Sequence, residues 1–200
     1  MPPSDDLSRT CRTFVLSCCL ITLTGSAQRY TLDPGHTAIT SKVLRFGIVK
    51  VVGRFTDVSG VINFNPLNPA VTTAEIVIKT ESYSANNVAG EEAVKGSAFM
   101  DVNSFPEMKM SVKGLTKSDH QFVVSASLTI HGVTRNVSFT TVINGPALDL
   151  PTQRQSIGIS GTFTINRYDY EIKMNGKLSS GAEVIDKEIE IEINALAIAD

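Results

Sequence analysis

Glu188-Ile189-Glu190-Ile191-Glu192-Ile193 is an uninterrupted alternation of acidic and apolar residues near the C-terminus. Successive side chains of a β-strand point to opposite faces, so this period of two predicts a strand with one buried and one solvated face. Antiparallel sheets commonly carry this pattern, whereas strands buried on both faces are apolar throughout.

The same alternation recurs along most of residues 28–200. Phe122 to Ile130 and Val133 to Phe139 alternate on either side of His131-Gly132, which predicts a hairpin. Similar runs occupy residues 62–64, 74–78, 108–112 and 157–165. Only residues 87–95, and a short turn after Arg167, have a helical character. We therefore expect roughly eight to nine strands and one or two short helices.

Each of these strands has an apolar face that must be covered, and the helices are too few to cover them. A sandwich of two sheets or a single closed sheet would satisfy this requirement. The length of the strands favours the closed sheet, and we predict an all-β, single antiparallel barrel of about eight strands. A barrel of about that size is either filled by side chains or holds one small ligand. An outer-membrane barrel is disfavoured, because the chain has no Trp and its polar strand faces carry charges.

The first 27 residues have the features of a signal peptide. Arg9 and Arg12 precede an apolar run from Phe14 to Leu23, and Gly25-Ser26-Ala27 offers small residues for cleavage. We therefore expect a leader over residues 1–27, a single domain over residues 28–200, and a periplasmic or secreted protein. All three cysteines fall within this leader, and a lipoprotein anchor at Cys19 is the alternative to cleavage after Ala27.

Composition and motifs argue against several functional classes. The net charge is −2 and no dense Lys/Arg run occurs, which disfavours a nucleic-acid partner. His36, His120 and His131 lack metal-ligand spacing, so we expect no metal. The sequence also lacks a nucleophile elbow and a phosphate-binding glycine loop, and we expect neither a cofactor nor an enzyme.

Six motifs in order resemble the YceI-like family of polyisoprenoid-binding proteins over about Tyr30 to Ala197. The motifs are Asp33-Pro34-Gly35-His36-Thr37, Gly53-Arg54-Phe55 with Gly60-Val61-Ile62, Ser97-Ala98-Phe99-Met100-Asp101 with Phe105-Pro106, Leu128-Thr129-Ile130-His131-Gly132-Val133-Thr134, Asn166-Arg167-Tyr168-Asp169-Tyr170, and Val184-Ile185-Asp186. The resemblance implies a lipocalin-like extended barrel whose apolar tunnel binds an isoprenoid chain or a related amphiphile. Family members often carry His where this chain has Arg45, and Asp-x-His-Leu where it reads Glu91-Glu92-Ala93-Val94.

Candidate site residues come from the inward strand faces and from these motifs. The expected pocket-lining residues are Ile76, Ile78, Phe99, Met108, Met110, Phe122, Val124, Phe139, Ile159 and Phe163. His36, Arg45 and Arg167 are the candidates for contact with a ligand headgroup. An Arg at position 45 could hold a phosphate bidentately. Two of these candidates also have a structural interpretation: His36 could hold its own turn, and Arg167 could pair with Asp169.

Three functions compete at this point. The first is an exported carrier or sequestering protein for an isoprenoid-type amphiphile, such as a quinone or a polyprenyl phosphate. The second is a structural or interaction barrel with a core filled by side chains. The third, an enzyme acting on a small apolar substrate, has no motif to support it. For the carrier we further expect transient contact with a membrane and the possibility of a homodimer.

Overall fold

The computed structural model describes residues 26–174 and 176–200. The predicted leader lies outside the described residues, except for Ser26 and Ala27, and so do the three cysteines. The strands are β1 (Gln28–Leu32), β2 (Ala38–Arg45), β3 (Val49–Phe55), β4 (Val58–Phe64), β5 (Thr73–Lys79), β6 (Tyr83–Ser84), β7 (Glu107–Ser118), β8 (Gln121–Ile130), β9 (Val133–Asp149), β10 (Arg154–Asn166) and β11 (Ile185–Ala199). The helix α1 (Val88–Lys95) follows β6.

Eight of these strands form a closed antiparallel ring. Its order is β1-β4-β5-β7-β8-β9-β10-β11, and β11 returns to β1 through the pairs Tyr30↔Ala199 and Leu32↔Ala197. The predicted barrel of about eight strands is thereby confirmed. Closure leaves no free edge in the ring, which is how a barrel satisfies its backbone hydrogen bonds.

The long strand β11 has two partners on the same side, and this makes the barrel taller. Its last residues pair with β1, whereas residues 185–194 pair with β2, which in turn pairs with β3. The short β6 then pairs with β3 through Phe55↔Tyr83. We call β2, β3 and β6 the upper branch. The isoleucines of the alternation around Ile191 point into the barrel. The acidic residues between them point outward, where Lys42 Nζ contacts Glu192 (2.6 Å) and Glu190 (3.2 Å).

The two ends of the barrel differ. The closed end, where β1 joins β4 and β11, is packed by fully buried side chains such as Tyr30, Ile157 and Ala197. The open end carries the β2–β3 turn and α1, which confirms the predicted helix. Asn87 caps α1 by accepting a hydrogen bond from the Gly90 N–H (3.3 Å), and the Gly96 N–H donates to the Glu92 carbonyl at its end.

A second predicted local feature, the turn after Arg167, is a short 3-10 helix at Arg167–Tyr170. Among the described residues, no helix has both the length and the apolar character needed to cross a bilayer.

Candidate ligand-binding cavity

The barrel encloses an apolar cavity of about 580 Å³. Its wall is built from the inward faces of the strands, with α1 and the segment around Phe99 covering the side left open between β3 and β5. Binding pockets for small molecules typically measure about 300–1,000 Å³ and are lined mainly by apolar side chains, so the cavity has the size and character of a binding pocket.

The interior is packed at the closed end and hollow above it. Along β10 the inward Ile157 is fully buried, Ile159 and Phe163 further toward the open end are half-buried, and Ile165 beyond them is buried again. Phe163 stacks on Phe139 with ring centres 4.5 Å apart, so the aromatic wall is ordered by side-chain packing. The half-buried inward residues mark the part of the strand that faces the cavity.

Most of the residues predicted to line a pocket lie in the cavity wall: Ile76, Ile78, Phe99, Met108, Met110, Val124, Phe139, Ile159 and Phe163. Phe122 does not lie in this wall. It is at the start of β8, near the closed end, where its ring meets Phe64 edge-on at 6.2 Å. Alternation assigned Phe122 to the correct face of its strand but could not place it along the barrel axis.

Sequence reasoning missed the part of the wall contributed by the upper branch. Val43 of β2, Val51 of β3 and Tyr83 of β6 line the cavity, together with Ile189, Ile191 and Ile193 of β11. The alternation of β11 was recognised as a strand signal, and its isoleucines could have been named from it. The weaker pattern in Lys42–Arg54 gave no comparable signal.

The cavity opens between the β2–β3 turn and α1. Nearly all wall residues are buried or half-buried, but Arg45, Asn87, Ala89 and Ala93 are exposed to solvent. The small side chains of Ala89 and Ala93 let the helix lie across the opening without filling it.

Arg45 stands at this opening, at the last position of β2. Its guanidinium lies 3.9 Å from the centre of the Phe46 ring, which is a cation–π contact. The side chain is exposed and keeps most of its donors available to a ligand at the mouth of the cavity.

Arg167 also lines the cavity but is only 1% exposed. Its guanidinium donates to four main-chain carbonyls, those of Ile172 (2.6 Å), Met174 (2.9 Å), Asp186 (3.0 Å) and Ile185 (3.0 Å). These carbonyls, rather than the Asp169 carboxylate, hold the side chain in the described structure. The arginine therefore ties the 172–174 segment to the start of β11 and has few donors left for a headgroup.

His36 lies in the turn between β1 and β2 and is not part of the cavity wall. Its Nδ1 is 2.6 Å from the Asp33 carboxylate, and the imidazole is largely exposed. The hydrogen bond to Asp33 raises the pKa of His36 and lowers that of Asp33. The geometry matches the interpretation in which this histidine holds its own turn, and His36 is not among the residues of the cavity wall.

The cavity wall has few ionisable side chains. Of the described wall residues, Arg45 and Arg167 are the charged ones, and none is Asp or Glu. Burial raises the pKa of the Tyr83 and Tyr170 phenols above its ordinary value. Over residues 26–174 and 176–200, no three His, Cys, Asp or Glu side chains gather as a metal site would require.

An antiparallel barrel closed around an apolar cavity, with its charge at one end, defines the class of lipocalin-like β-barrels. Within this class, residues 30–197 match the family model described as "YceI-like domain", and the chain belongs to the YceI-like family.

Curated relatives and solved structures agree with this assignment. A UPF0312 protein of Shewanella sp. (strain W3-18-1) is 29% identical over 169 residues, which cover 82% of this chain and 88% of the relative. BcnA of Burkholderia cenocepacia has the same fold, with a TM-score of 0.72 at 16% identity, covering 82% of this chain and 98% of BcnA. A polyisoprenoid binding domain from Saccharophagus degradans gives a TM-score of 0.66 at 17% identity, covering 86% and 98% of the two chains.

Proposed function

We propose that the protein is an exported lipid-binding protein that holds the tail of an isoprenoid-type amphiphile inside its barrel. The observation that carries the proposal is the cavity of about 580 Å³, apolar along its length and charged only toward its open end. That distribution of polarity matches a molecule with a long apolar tail and one polar head.

Burial of the tail supplies the binding free energy. Each Å² of apolar surface removed from water contributes about 25 cal/mol, so a chain of several isoprene units gains substantially on entering the cavity. The half-buried Ile159, Phe163 and Met110 are already ordered in the wall, and little side-chain entropy is lost when the tail arrives.

The head would lie at Arg45. This is the exposed charged residue of the wall, and its planar guanidinium suits an anionic oxygen, as in a polyprenyl phosphate. A quinone head, which is neutral, would gain a hydrogen bond there but no charge pairing. Arg45 therefore favours the phosphate over the quinone.

Two further observations support the proposal. The Saccharophagus degradans structure, which shares the fold of this chain, is described as a polyisoprenoid binding domain. Export is supported by the basic, apolar and small-residue segments of residues 1–27.

The test is to express the full chain in a bacterial host, purify the exported protein without detergent, and analyse its organic extract by mass spectrometry. A stoichiometric isoprenoid would support the proposal and identify the head. An empty extract, followed by no saturable uptake of quinones or polyprenyl phosphates, would leave the cavity without its proposed ligand and contradict it.

A further inference from the structure

Three large apolar side chains that face solvent lie in the two segments bordering the opening of the cavity. Ile48, in the β2–β3 turn, is 80% exposed, and the adjacent Val49 is 51% exposed. Val88, the first residue of α1, is 73% exposed. They flank the exposed wall residues Arg45 and Ala89, and we call Arg45, Phe46, Ile48, Val49 and Val88 the rim. Large apolar residues clustered at an opening are a sign of an interaction surface.

The turn that carries the rim is not built for local stability. Phe46 (φ 56°) and Gly47 (φ 70°) are both left-handed, and the Ile48 N–H donates to the Arg45 carbonyl (3.1 Å), as in a type I′ hairpin turn. Such turns favour Asn-Gly, whereas a bulky aromatic residue at positive φ is strained. Strain of this kind concentrates at functional sites, and here it keeps an aromatic ring at the mouth.

The charge of this hairpin has one sign. Residues 42–54 contain Lys42, Arg45, Lys50 and Arg54 and no acidic residue. Lys42 and Lys50 are paired with Glu190, and Arg54 donates to the Thr37 carbonyl, whereas Arg45 contacts only the Phe46 ring among its described partners. The tip itself is therefore apolar and cationic.

The neighbouring helix contributes acidic residues, but one of them is engaged. Glu91 accepts hydrogen bonds from the Ala85 N–H (2.7 Å) and the Ser84 hydroxyl (3.1 Å), and Glu92 is exposed. β11 also brings Asp186 and the exposed Glu188 near the turn, since Ile185 pairs with Arg45. Attraction to a negative surface therefore falls to Arg45, and Val88 at the start of α1 adds only apolar contact.

We propose that the rim docks on the surface of a bilayer containing anionic lipid, so that the amphiphile passes directly between the membrane and the cavity. Apolar side chains would enter the boundary between headgroups and acyl chains while Arg45 meets lipid phosphates. The proposal rests on the proposed function, because it assumes an amphiphile that resides in membranes. Docking at the opening spares the apolar tail any passage through water.

The experiment compares the full-length wild-type protein with Ile48→Asp and Val88→Asp. Leu150→Asp is the matched control, because Leu150 is also 73% exposed but lies at the β9–β10 turn of the closed end. All proteins share residues 1–27, and flotation is measured at a lipid concentration at which wild type is only partly bound, so that a difference between variants stays visible. Flotation with vesicles of equimolar phosphatidylcholine and phosphatidylglycerol measures docking, and vesicles carrying solanesyl phosphate measure transfer.

We expect wild type and Leu150→Asp to float and to extract solanesyl phosphate at equal rates. Each rim variant should lose roughly ten-fold or more of both, since a buried apolar side chain is replaced by a charge. Pure phosphatidylcholine should weaken wild-type flotation about five-fold, the share expected of one cation near a charged surface.

Uptake of solanesyl phosphate from cyclodextrin separates this proposal from the proposed function. Normal uptake by the rim variants with slow transfer from vesicles supports docking. If none of the proteins takes up solanesyl phosphate, the lipid-binding function is rejected. Flotation tests the docking surface independently of that result. Docking is overturned if wild type does not float, if Leu150→Asp is impaired equally, or if the rim variants instead convert a wild-type dimer to a monomer and float normally.

Discussion

At the scale of single residues, two arginines of the wall differ in what surrounds them. Arg45 is exposed at the opening beside Phe46, whereas Arg167 is buried under four main-chain carbonyls. The donors of Arg45 remain available to a ligand, and those of Arg167 are consumed by the fold. We therefore expect substitution of Arg45 to change ligand binding and substitution of Arg167 to change stability.

Replacing Arg45 with Gln should weaken binding of an anionic amphiphile selectively. A charge-assisted hydrogen bond contributes about 1.5–3 kcal/mol, so affinity for geranylgeranyl phosphate should fall about ten-fold or more while affinity for geranylgeraniol is unchanged. Fluorescence titration of both ligands measures the difference. Arg135→Gln is the control, because Arg135 lies on β9 and donates to the Asp169 carbonyl at the surface. Equal losses for both ligands would remove Arg45 from headgroup recognition.

Replacing Arg167 with Met should destabilise the protein instead. It would leave buried carbonyls of Ile172, Met174, Ile185 and Asp186 without their donors, and such unsatisfied groups cost about 1–3 kcal/mol each. We expect urea unfolding to show a loss of about 3 kcal/mol or more. Arg135→Met, at an exposed site, should stay within about 0.5 kcal/mol of wild type. An Arg167→Met protein of normal stability would mean that these hydrogen bonds contribute little.

At the scale of elements, the packing of β6 on β3 requires a glycine at position 53 of β3. A Cβ on Gly53 would lie 2.3 Å from the ring of Tyr83, which crosses β3 at this point. Tyr83 is buried and packs on Phe55 with ring centres 5.4 Å apart, so it has little room to move. Glycine at this position lets an aromatic ring cover the strand, and the ring in turn forms part of the cavity wall.

Gly53→Ala should therefore cost about 1–3 kcal/mol of unfolding free energy, as overpacking of a well-packed site does. Gly158→Ala is the matched control on β10, because a Cβ there meets nothing within 4 Å, and it should change stability by less than about 0.5 kcal/mol. Chemical denaturation of both variants measures the contrast. If the two behaved alike, the contact between Gly53 and Tyr83 would not constrain the upper branch.

The sequence predicted those elements whose pattern is local. Period-two runs located β8, β9 and β11, because side chains of a strand alternate whatever the strand pairs with. The division of β11 between β1 and β2 could not be predicted, since pairing between distant segments leaves no mark in either one. For the same reason the alternation near Phe122 indicated its face but not its height in the barrel.

The candidate site was predictable to a similar degree. Nine inward residues were named from alternation and from motifs, and they lie in the wall. Arg167 was matched with Asp169, the nearest carboxylate in sequence, but its partners are carbonyls that the fold brings together from the 172–174 segment and β11. A backbone carbonyl exists at every residue, so no sequence pattern reveals which ones a buried arginine will find.

At the scale of the whole molecule, one part of the barrel interior is packed with side chains and another part is a cavity. Ile157 and Ala197 at the closed end are fully buried and pack β1 against β10 and β11, whereas Ile159 and Ala195, the next inward pair toward the open end, face the cavity. A void leaves its lining atoms without partners, so the hollow half contributes less to stability than the same side chains would in a solid core. Stability and ligand capacity should therefore respond in opposite directions when the cavity is filled.

Ala195→Phe tests this relation, because it places an aromatic ring inside the cavity. The cavity is much larger than the added ring, so we expect a free energy of unfolding equal to or above that of wild type. Affinity for solanesyl phosphate should fall roughly ten-fold or more, since the ring displaces part of the buried tail. Asn194→Phe, one residue earlier on the exposed face of β11, is the control and should bind normally. A stable Ala195→Phe protein with wild-type affinity would show that the tail does not occupy this cavity, whatever else the protein binds.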